Sequence, residues 1–386
     1  MNQYQSILLT AGEAAARLGI KRETLYAYVS RGRLRSVAVP GSRERHYRPE
    51  DIDGLRAGSG GPTGVPQAAG EAVMPMIDSA ISLIEDERLY YRGHDAIRLS
   101  DTATLEDIAR LLWGEFPDAE PRRPLPRGRI LSPTGLAIIE RCQLRLAMMA
   151  AEADPAAVEQ TRGSIARAGH GILRELVACV TGRPGSALPV HRQLAAHWGL
   201  DAAGSDLLRR CLVLIADHEL NASTFVARCV AGAGAGPCAV VSAALGALSG
   251  KRNGGAAVRA EALFHTLKRD GDPITAMAEL LAGGEQLPGI GHPLYPDGDP
   301  RAVAILYAAS ALAPQARRLV NRRPNVDFAL AAAAVLLGLP PGAALSLFVV
   351  GRTVGWIAHA IEQYESGVLI RPRARYTGPR PGGGIA

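Results

Sequence analysis

The sequence predicts a mainly α-helical protein of more than one domain, with a small basic unit at its N-terminus. The chain has 386 residues, which is longer than most single domains. A Gly- and Pro-rich stretch at residues 57–70 lacks apolar periodicity, as a flexible tether does. After it, apolar residues recur at helical spacing nearly throughout, and strand-like alternation occurs only near residues 81–91, around a turn at 85–87.

The composition is that of a globular protein with a large core. Hydrophobic residues make up 47% of the chain and charged residues 21%, which excludes a disordered protein. The net charge is +6, and only Lys21, Lys251 and Lys268 of the 43 basic residues are lysines. Residues 20–48 hold eight basic side chains against two acidic ones, so the excess positive charge is concentrated there.

The five cysteines are odd in number, widely spaced and never arranged as CxxC. This pattern argues against a disulfide framework or a zinc finger, so we expect a reducing, cytoplasmic environment and no metal. The N-terminus lacks the basic and apolar regions of a signal peptide. The most apolar stretch, residues 328–339, is too short to cross a bilayer, so no membrane association is expected.

The N-terminal unit has the signals of a helix, a glycine turn and a second helix. Thr10 and Glu13 form a capping box that opens the first helix, and Gly19 ends it. The second helix is predicted at about residues 22–30. Two short extended runs follow within residues 37–47, around a Pro-Gly turn, and a third helix is expected at about residues 49–55.

This order resembles the winged helix-turn-helix of the MerR and excisionase type, through TAGEAAARLGIKRETLYAYVSRGRL and RHYRPEDI. The resemblance implies that the unit binds duplex DNA. Arg22 and Tyr26 would then face the major groove, and Arg43 and Arg45 would contact phosphates. The alternative interpretation is a basic solvated face on a small oligomerisation or docking module.

In the larger part of the chain, Thr104 and Asp107 resemble a capping box before a helix. Ser205 is predicted to open another helix. Its buried face would hold Leu208, Cys211, Leu212 and Ile215. We find no internal repeat, and no HExxH, GxGxxG, GxxxxGK[ST] or GxSxG motif in a suitable context, which excludes several common enzyme classes.

Separated polar motifs remain, several of them beside Gly or Pro turns. They are DHELNAS at 217–223, GKRNGG at 250–255, GIGH at 289–292, GDPR at 298–301, PNVDF at 324–328, GRT at 351–353 and IRPR at 370–373. Such a set is suited to a small polyanion, because arginine forks bind carboxylates in a bidentate manner. Each motif taken alone also has a structural interpretation: Asp327 would cap a helix that begins at Phe328, and Arg352 would form a buried ion pair.

In their order and spacing these motifs resemble the citrate synthase family. DHELNAST, GIGHPLYPDGDPRA, RPNVDFALA, FVVGRTVGWIAHAIEQ and LIRPRARYTGP carry the resemblance, with ISLIEDERLYYRGHDAIRLS at its start. It covers residues 78–379 approximately. The resemblance implies a citrate synthase-like, all-α homodimer of two domains, preceded by the winged unit at 1–56 and the linker at 57–70. The large domain would comprise 71–254 and 339–386, and the small domain 255–338.

The resemblance also implies roles for individual residues. His218 would bind oxaloacetate, and His292 would donate a hydrogen bond to its carbonyl oxygen. Asp327 would be the general base that removes a methyl proton from acetyl-CoA, the co-substrate. The substrate carboxylates would be held by Arg301, Arg352 and Arg371, the last supplied by the partner subunit.

Two positions depart from the family pattern. Asn253 stands where the family has a histidine that donates to the thioester carbonyl. Its amide is a donor, but it is shorter than imidazole and delivers no proton. Complete loss of such a donor lowers the rate roughly 10²–10³-fold. Pro296 stands where many relatives have a basic side chain near the CoA phosphates.

Three functions follow from these observations. The first is an enzyme that condenses acetyl-CoA or propionyl-CoA with oxaloacetate. The second is a DNA-binding regulator whose synthase-like fold senses a di- or tricarboxylate such as citrate. The third is a structural or interaction protein without a ligand, which the arginines of the polar motifs disfavour.

Overall fold

The computed structural model describes residues 8–30, 34, 36–38, 45–49, 52, 77–114, 135–152, 160–268, 271–372, 374 and 376–377. The chain forms two compact units, residues 1–76 and residues 77–386. Each unit is described by itself. The predicted linker at 57–70 lies outside the described residues, and the division of the second unit into two domains stays a prediction.

The first unit contains three strands and two helices among its described residues. They are β1 (Leu9–Thr10), α1 (Ala11–Leu18), α2 (Arg22–Ser30), β2 (Val37–Ala38) and β3 (Arg45–Tyr47). The strands form an antiparallel sheet in the order β1-β3-β2. The predicted turn of the wing and most of the predicted third helix lie outside the described residues.

Local sequence explains the two helices of this unit. The Thr10 hydroxyl accepts a hydrogen bond from the Glu13 amide at 3.3 Å, and the Glu13 carboxylate accepts one from the Thr10 amide at 2.8 Å. Gly19 ends α1 in the left-handed conformation, at φ 68°. Both predictions are confirmed. The small core consists of Ala11, Ala14, Ala15, Leu25, Leu34, Tyr47 and Ile52.

The second unit begins with a small antiparallel sheet and continues almost entirely as helices. The strands are β4 (Ser82–Glu85), β5 (Arg88–Tyr91) and β6 (His94–Asp95), in the order β4-β5-β6. Asp86 and Glu87 form the turn between β4 and β5 with φ values of 49° and 57°, as a type I′ hairpin requires. The predicted position of the strands is confirmed.

The helices of the second unit pack around one continuous apolar core. They are α3 (Ala96–Thr102), α4 (Leu105–Trp113), α5 (Ile138–Glu152), α6 (Arg162–Thr181), α7 (Val190–Trp198), α8 (Ala202–Leu214), α9 (Ala222–Gly232), α10 (Pro237–Leu248), α11 (Gly255–Leu267), α12 (Pro273–Ala282), α13 (Pro300–Ala309), α14 (Arg317–Val320), α15 (Val326–Leu336) and α16 (Ala343–Ser366). The mainly α prediction is confirmed.

Side-chain caps open several of these helices; one predicted helix start is wrong, and so is the alternative interpretation of Asp327 as a cap. The capping box of Thr104 and Asp107 opens α4 as expected. However, α8 begins at Ala202 rather than Ser205, because the Asp201 carboxylate accepts the Gly204 amide hydrogen bond at 2.8 Å. Asn325, not Asp327, caps α15, and it accepts from the Phe328 amide at 3.2 Å. This leaves Asp327 in the first turn with its carboxylate available.

Helix α16 is the centre of the second unit. It is long and apolar enough to cross a membrane, yet 94% of its most apolar 18-residue stretch is buried within the chain. It packs against α4, α6, α8, α9, α10, α11 and α15. A helix that is apolar on all sides and covered by other helices is a core helix. Residues 328–339 are the most apolar stretch of the sequence. Helix α15, which covers most of them, is also buried.

Two glycines let the segment 215–217 cross the surface of α16. A Cβ at Gly351 would lie 2.5 Å from Cγ1 of Ile215, and one at Gly355 would overlap the Ala216 carbonyl oxygen and the Asp217 carboxylate. The Gly355 amide also donates to the Ala216 oxygen at 3.0 Å. Only glycine permits this close approach of two backbones.

Gly355→Ala should therefore destabilise the protein by about 1–3 kcal/mol, the usual effect of overpacking a dense core. The matched control is Gly171→Ala in the middle of α6, where a Cβ would meet nothing within 4 Å. That variant should be stabilised by about 0.5–1 kcal/mol, because alanine loses less backbone entropy. Urea unfolding of both variants measures the difference, and equal stabilities would show that the crossing is not tightly packed.

Candidate active site

The turn after α8 carries the first candidate residue, His218. Glu219 adopts a left-handed conformation at φ 49°, which reverses the chain between α8 and α9. Asn221 then caps α9 by accepting the Thr224 amide hydrogen bond at 3.0 Å. His218 is buried in this turn, with 6% of its surface exposed.

A glycine-containing loop brings His292 beside the start of α15. Gly289 and Gly291 have φ values of 83° and 80°. The Asn325 amide donates to the Gly289 oxygen at 2.8 Å, and the Gly291 amide donates to the Arg323 oxygen at 2.8 Å. A Cβ at Gly289 would lie 2.8 Å from that of Phe328, so the loop and the first turn of α15 are in direct contact.

Tyr295 packs against both histidines. Its hydroxyl shares a hydrogen bond of 2.9 Å with Nε2 of His218, and its ring centroid is 5.0 Å from that of His292. The two histidine rings meet edge to face at 5.3 Å. Burial raises the pKa of Tyr295 to about 12, so the phenol stays neutral. Burial, reinforced by the charges of Arg301 and Arg352, holds the pKa of His218 well below its usual value.

His292 is oriented as a hydrogen-bond donor. Its Nδ1 accepts the backbone N–H of Leu294 at 3.1 Å, so in the neutral ring the proton lies on Nε2. Burial and the nearby charge of Arg301 lower the pKa of His292. At neutral pH the side chain therefore presents one fixed Nε2–H.

Arg301 is buried and clamped by a carboxylate of its own chain. Asp299 accepts from Nε at 3.0 Å and from NH2 at 2.7 Å, and it also accepts the Val326 amide at 3.0 Å. Asp299 therefore occupies the Nε–NH2 edge of the guanidinium, and the binding of a substrate carboxylate by Arg301, through its other edge, stays a prediction. The Arg301 guanidinium lies 5.7 Å from the centre of the Tyr295 ring.

Arg352, on α16, has a different environment. Its Nε donates to the Ile215 carbonyl at 2.7 Å, and its Cζ lies 4.8 Å from the centre of the Phe348 ring. Its NH1 is buried and has no hydrogen-bond partner among the described residues. Burial lowers the pKa of Arg352 to about 10, which Asp217 partly opposes. A buried guanidinium nitrogen without a partner is suited to binding an anion.

Asp327 is a poised carboxylate in the first turn of α15. Burial raises its pKa to about 6, although the charges of Arg301 and Arg352 act in the opposite direction. A carboxylate with this pKa is a stronger base than an exposed one and is still mostly ionised at pH 7. The cluster thus combines two neutral histidines, two buried arginines and one basic carboxylate.

Comparison with known proteins identifies this arrangement. The model of the family described as citrate synthase, C-terminal domain, matches residues 70–373, and that of a helix-turn-helix domain matches residues 8–57. The chain belongs to the citrate synthase family. The resemblance to the citrate synthase family and the N-terminal helix-turn-helix are therefore confirmed, and the wing stays a prediction.

Individual relatives agree with this family. The 2-methylcitrate synthase 1 of Corynebacterium glutamicum is 30% identical over 346 residues, covering 76% of this chain and 90% of the relative. A Mycobacterium tuberculosis relative that is named a citrate synthase is 38% identical over 187 residues. The chain spans about half the length of that relative.

Solved citrate synthases share the fold. The enzyme of Thermotoga maritima matches with 25% identity and a TM-score of 0.64, covering 82% of this chain and 98% of that one. Citrate synthase of Thermoplasma acidophilum, solved as a ternary complex with carboxymethyl coenzyme A and oxaloacetate, matches at 23% identity with a TM-score of 0.65. That match covers 81% of this chain and 97% of the other.

Five of the seven residues that the sequence singled out lie in the cluster: His218, His292, Arg301, Arg352 and Asp327. The other two do not contact it. Asn253 is half-buried and donates to the Ala247 carbonyl of the preceding helix at 3.3 Å. Arg371 is exposed beyond the end of α16.

Tyr295, Asp299, Asp217 and His359 were not among the predicted site residues. All four lie inside the quoted motifs, two of them within a few residues of His292 or Arg301. Spacing alone gave no reason to choose them, because each acts through a partner that only the fold reveals. No group of three or more potential metal-binding side chains occurs in the described part of the chain.

The candidate DNA-binding residues differ in their surroundings. Tyr26 is 51% exposed on α2, and Arg45 is exposed on β3. Arg22 is exposed, but its guanidinium lies over Gly12 of α1, where a Cβ would be 2.5 Å from NH2. Arg43 lies outside the described residues.

The raised pKa of Asp327 predicts a stability effect with a definite sign. Ionising this carboxylate is harder in the folded than in the unfolded state, so it destabilises the fold progressively from pH 4 to pH 6 and fully above. Asp327→Asn should then be more stable than wild type at pH 8, by about 3 kcal/mol, and should differ much less from wild type at pH 4. Calorimetry across this range would contradict the assignment if the difference did not grow with pH.

Proposed function

We propose that the chain condenses an acyl-CoA with oxaloacetate. The observation that carries this proposal is the buried Arg352, whose NH1 has no partner among the described residues, in one cluster with the neutral donor His292 and the basic carboxylate Asp327, both of them half-buried. These are an anion-binding group, an electrophile-activating donor and a base. Carbon–carbon bond formation between a ketodiacid and a thioester needs these three.

In the proposed reaction, Asp327 removes a proton from the carbon next to the thioester carbonyl of the acyl-CoA. The resulting enolate attacks the carbonyl carbon of oxaloacetate and forms a carbon–carbon bond. The oxaloacetate oxygen accepts a hydrogen bond from Nε2 of His292 and takes up a proton to become a hydroxyl group. Arg352 binds a substrate carboxylate through NH1, and His218 and Arg301 line the same site. Hydrolysis of the thioester then releases the tricarboxylate and CoA.

The acyl group of the co-substrate is either acetyl or propionyl. One relative is named a 2-methylcitrate synthase, and a structural neighbour was solved with carboxymethyl coenzyme A and oxaloacetate. Asn253 would be the enolate donor, although one N–H of its amide already bonds Ala247. Pro296 would weaken CoA binding. Both features favour slow turnover.

We further propose a cytoplasmic homodimer in which Arg371 completes the site of the partner. The residues before Arg371 pack against α9, where a Cβ at Gly232 would lie 3.1 Å from the Val368 oxygen. Arg371 itself is exposed. An exposed arginine on a segment fixed against a helix is available to a second subunit.

The proposed function predicts thiol release from acetyl-CoA or propionyl-CoA in the presence of oxaloacetate. Asn253→His should raise the rate, by at most roughly 10²–10³-fold, because imidazole reaches further toward the thioester oxygen. Arg352→Ala should lose most of the oxaloacetate-induced rise in melting temperature that wild type shows. No thiol release from wild type or Asn253→His, with oxaloacetate binding intact, would contradict condensation and favour a sensor.

The second candidate function is a DNA-binding regulator that responds to a di- or tricarboxylate. The observation that favours it is the helix-turn-helix unit, with Tyr26 and Arg45 exposed on α2 and β3. Lysine and arginine contacts to phosphates supply the salt-dependent part of such binding, and side chains of the second helix supply sequence preference.

The regulator predicts that the full-length protein binds duplex DNA, with affinity that falls steeply as salt increases. Arg45→Glu should weaken binding to all sequences, whereas Arg22→Ala should mainly relax sequence preference. Arg88→Glu, on the exposed surface of β5, is the control for the same change of charge. Gel-shift titrations at low salt without a complex, or equal losses in Arg45→Glu and Arg88→Glu, would remove this candidate.

A further inference from the structure

A buried carboxylate that the proposed reaction does not use lies directly before His218. Asp217 has no exposed surface. The Ser82 hydroxyl, from β4, donates to its Oδ2 at 2.5 Å, and Nε2 of His359, from α16, lies 3.4 Å from the same oxygen. Nε2 is also 3.3 Å from Oδ1. Two elements distant in sequence therefore meet at one carboxylate.

The orientation of His359 follows from its other neighbour. NH1 of Arg228 lies 3.3 Å from Nδ1 of His359. Because a guanidinium only donates hydrogen bonds, Nδ1 is the acceptor and the ring proton lies on Nε2, facing Asp217. Arg228 is itself fixed by Glu362 at 2.6 Å and by Gln363 at 2.8 Å. The donor to Asp217 is therefore held in one orientation by a buried network.

The backbone of Asp217 is fixed as firmly as its side chain. The Tyr91 hydroxyl accepts the Asp217 amide at 3.3 Å and donates to the Val213 carbonyl at 3.0 Å. Gly355 of α16 packs against the carboxylate, with no room for a side chain. The turn that follows, including His218, thus starts from a rigid point.

Asp217 also supplies a negative charge that partly offsets the unfavourable burial of the positively charged Arg352 guanidinium. Arg301 has Asp299 in direct contact, whereas no salt bridge to Arg352 occurs among the described residues. Burial opposes the charge of Asp217, but His359 and Arg352, together with the hydrogen bond from Ser82, hold its pKa below the usual value. The carboxylate is therefore ionised, and it stabilises the cationic guanidinium.

We propose that Asp217 is a positioning residue, oriented by Ser82 and His359, that aims His218 and stabilises the charged guanidinium of Arg352 for binding the substrate carboxylate. This inference rests on the proposed function for the identity of the ligand. Asp217 itself touches no reacting atom. Its effect on the substrate is transmitted through His218 and Arg352, the two side chains proposed to contact the substrate.

The experiment compares pairs of variants in the full-length chain. Ser82→Ala removes the hydroxyl donor and Ser82→Thr retains it. His359→Leu removes the ring donor, and His359→Gln keeps an N–H at a similar reach. Ser310→Ala is the control, because that hydroxyl bonds only the Tyr307 carbonyl of its own helix at 2.7 Å.

Oxaloacetate affinity is measured by calorimetric titration below the melting temperature of each variant, and thiol release is measured in parallel. We expect Ser82→Ala to bind oxaloacetate about tenfold more weakly, the effect of losing one hydrogen bond to a charged group. His359→Leu should lose about 10–100-fold. Ser82→Thr and His359→Gln should recover to within about threefold of wild type, and Ser310→Ala should match it.

A merely structural role would lower the melting temperature of Ser82→Ala and His359→Leu without changing oxaloacetate affinity, and this result would overturn the proposal. If His359→Leu does not fold, the comparison of Ser82→Ala with Ser82→Thr still tests the proposal. Wild type that binds oxaloacetate but releases no thiol would contradict the condensing function alone, and the affinity series would still test positioning. Wild type without oxaloacetate binding would contradict both proposals.

Discussion

Arg301 and Arg352 lie inside an apolar helical unit with about 1% of their surfaces exposed, and much of the site is organised around keeping them charged there. An isolated buried charge is strongly unfavourable, so each needs a compensating group. Asp299 compensates Arg301 by a direct two-point contact, and Asp217 compensates Arg352 through space. The two guanidinium groups therefore differ in their contacts. Asp299 occupies the Nε–NH2 edge of Arg301, whereas the buried NH1 of Arg352 has no hydrogen-bond partner among the described residues.

The same requirement explains why the carboxylates have further contacts. Asp299 also accepts the Val326 amide, so the group that holds Arg301 fixes the first turn of the helix that carries Asp327. Asp217 is held by Ser82 and His359, so the partner of Arg352 is tied to β4 and α16. Each compensating carboxylate therefore also sets the position of a second site residue. Substrate binding and the geometry of the base are linked through the backbone of one chain.

Much of the fold and part of the site could be predicted from sequence. Capping boxes at Thr10 and Thr104 involve neighbours three residues apart, so local chemistry revealed them. The start of α8 was misplaced, because Asp201 and Ser205 are both good capping residues and only tertiary packing chooses between them. His218, His292 and Asp327 were found through motif order. Tyr295, the partner of His218, was not found, and neither were Ser82 and His359, the partners of Asp217, since hydrogen bonds across 77 to 142 residues leave no periodic signal.

The environment of Asp327 bears on how Asn253 affects a condensing reaction. With a pKa of about 6, this carboxylate is roughly 100-fold more basic than an exposed aspartate, yet it remains ionised at neutral pH. The acid that it must deprotonate is far weaker still, so the barrier depends mainly on stabilising the enolate. Asn253 has one amide hydrogen directed to Ala247, which leaves its second N–H for that task. In a condensing reaction, enolate stabilisation rather than base strength would therefore limit turnover. In the proposed reaction the Nε2–H of His292 acts on oxaloacetate, so it would not replace the histidine donor that the family has at position 253.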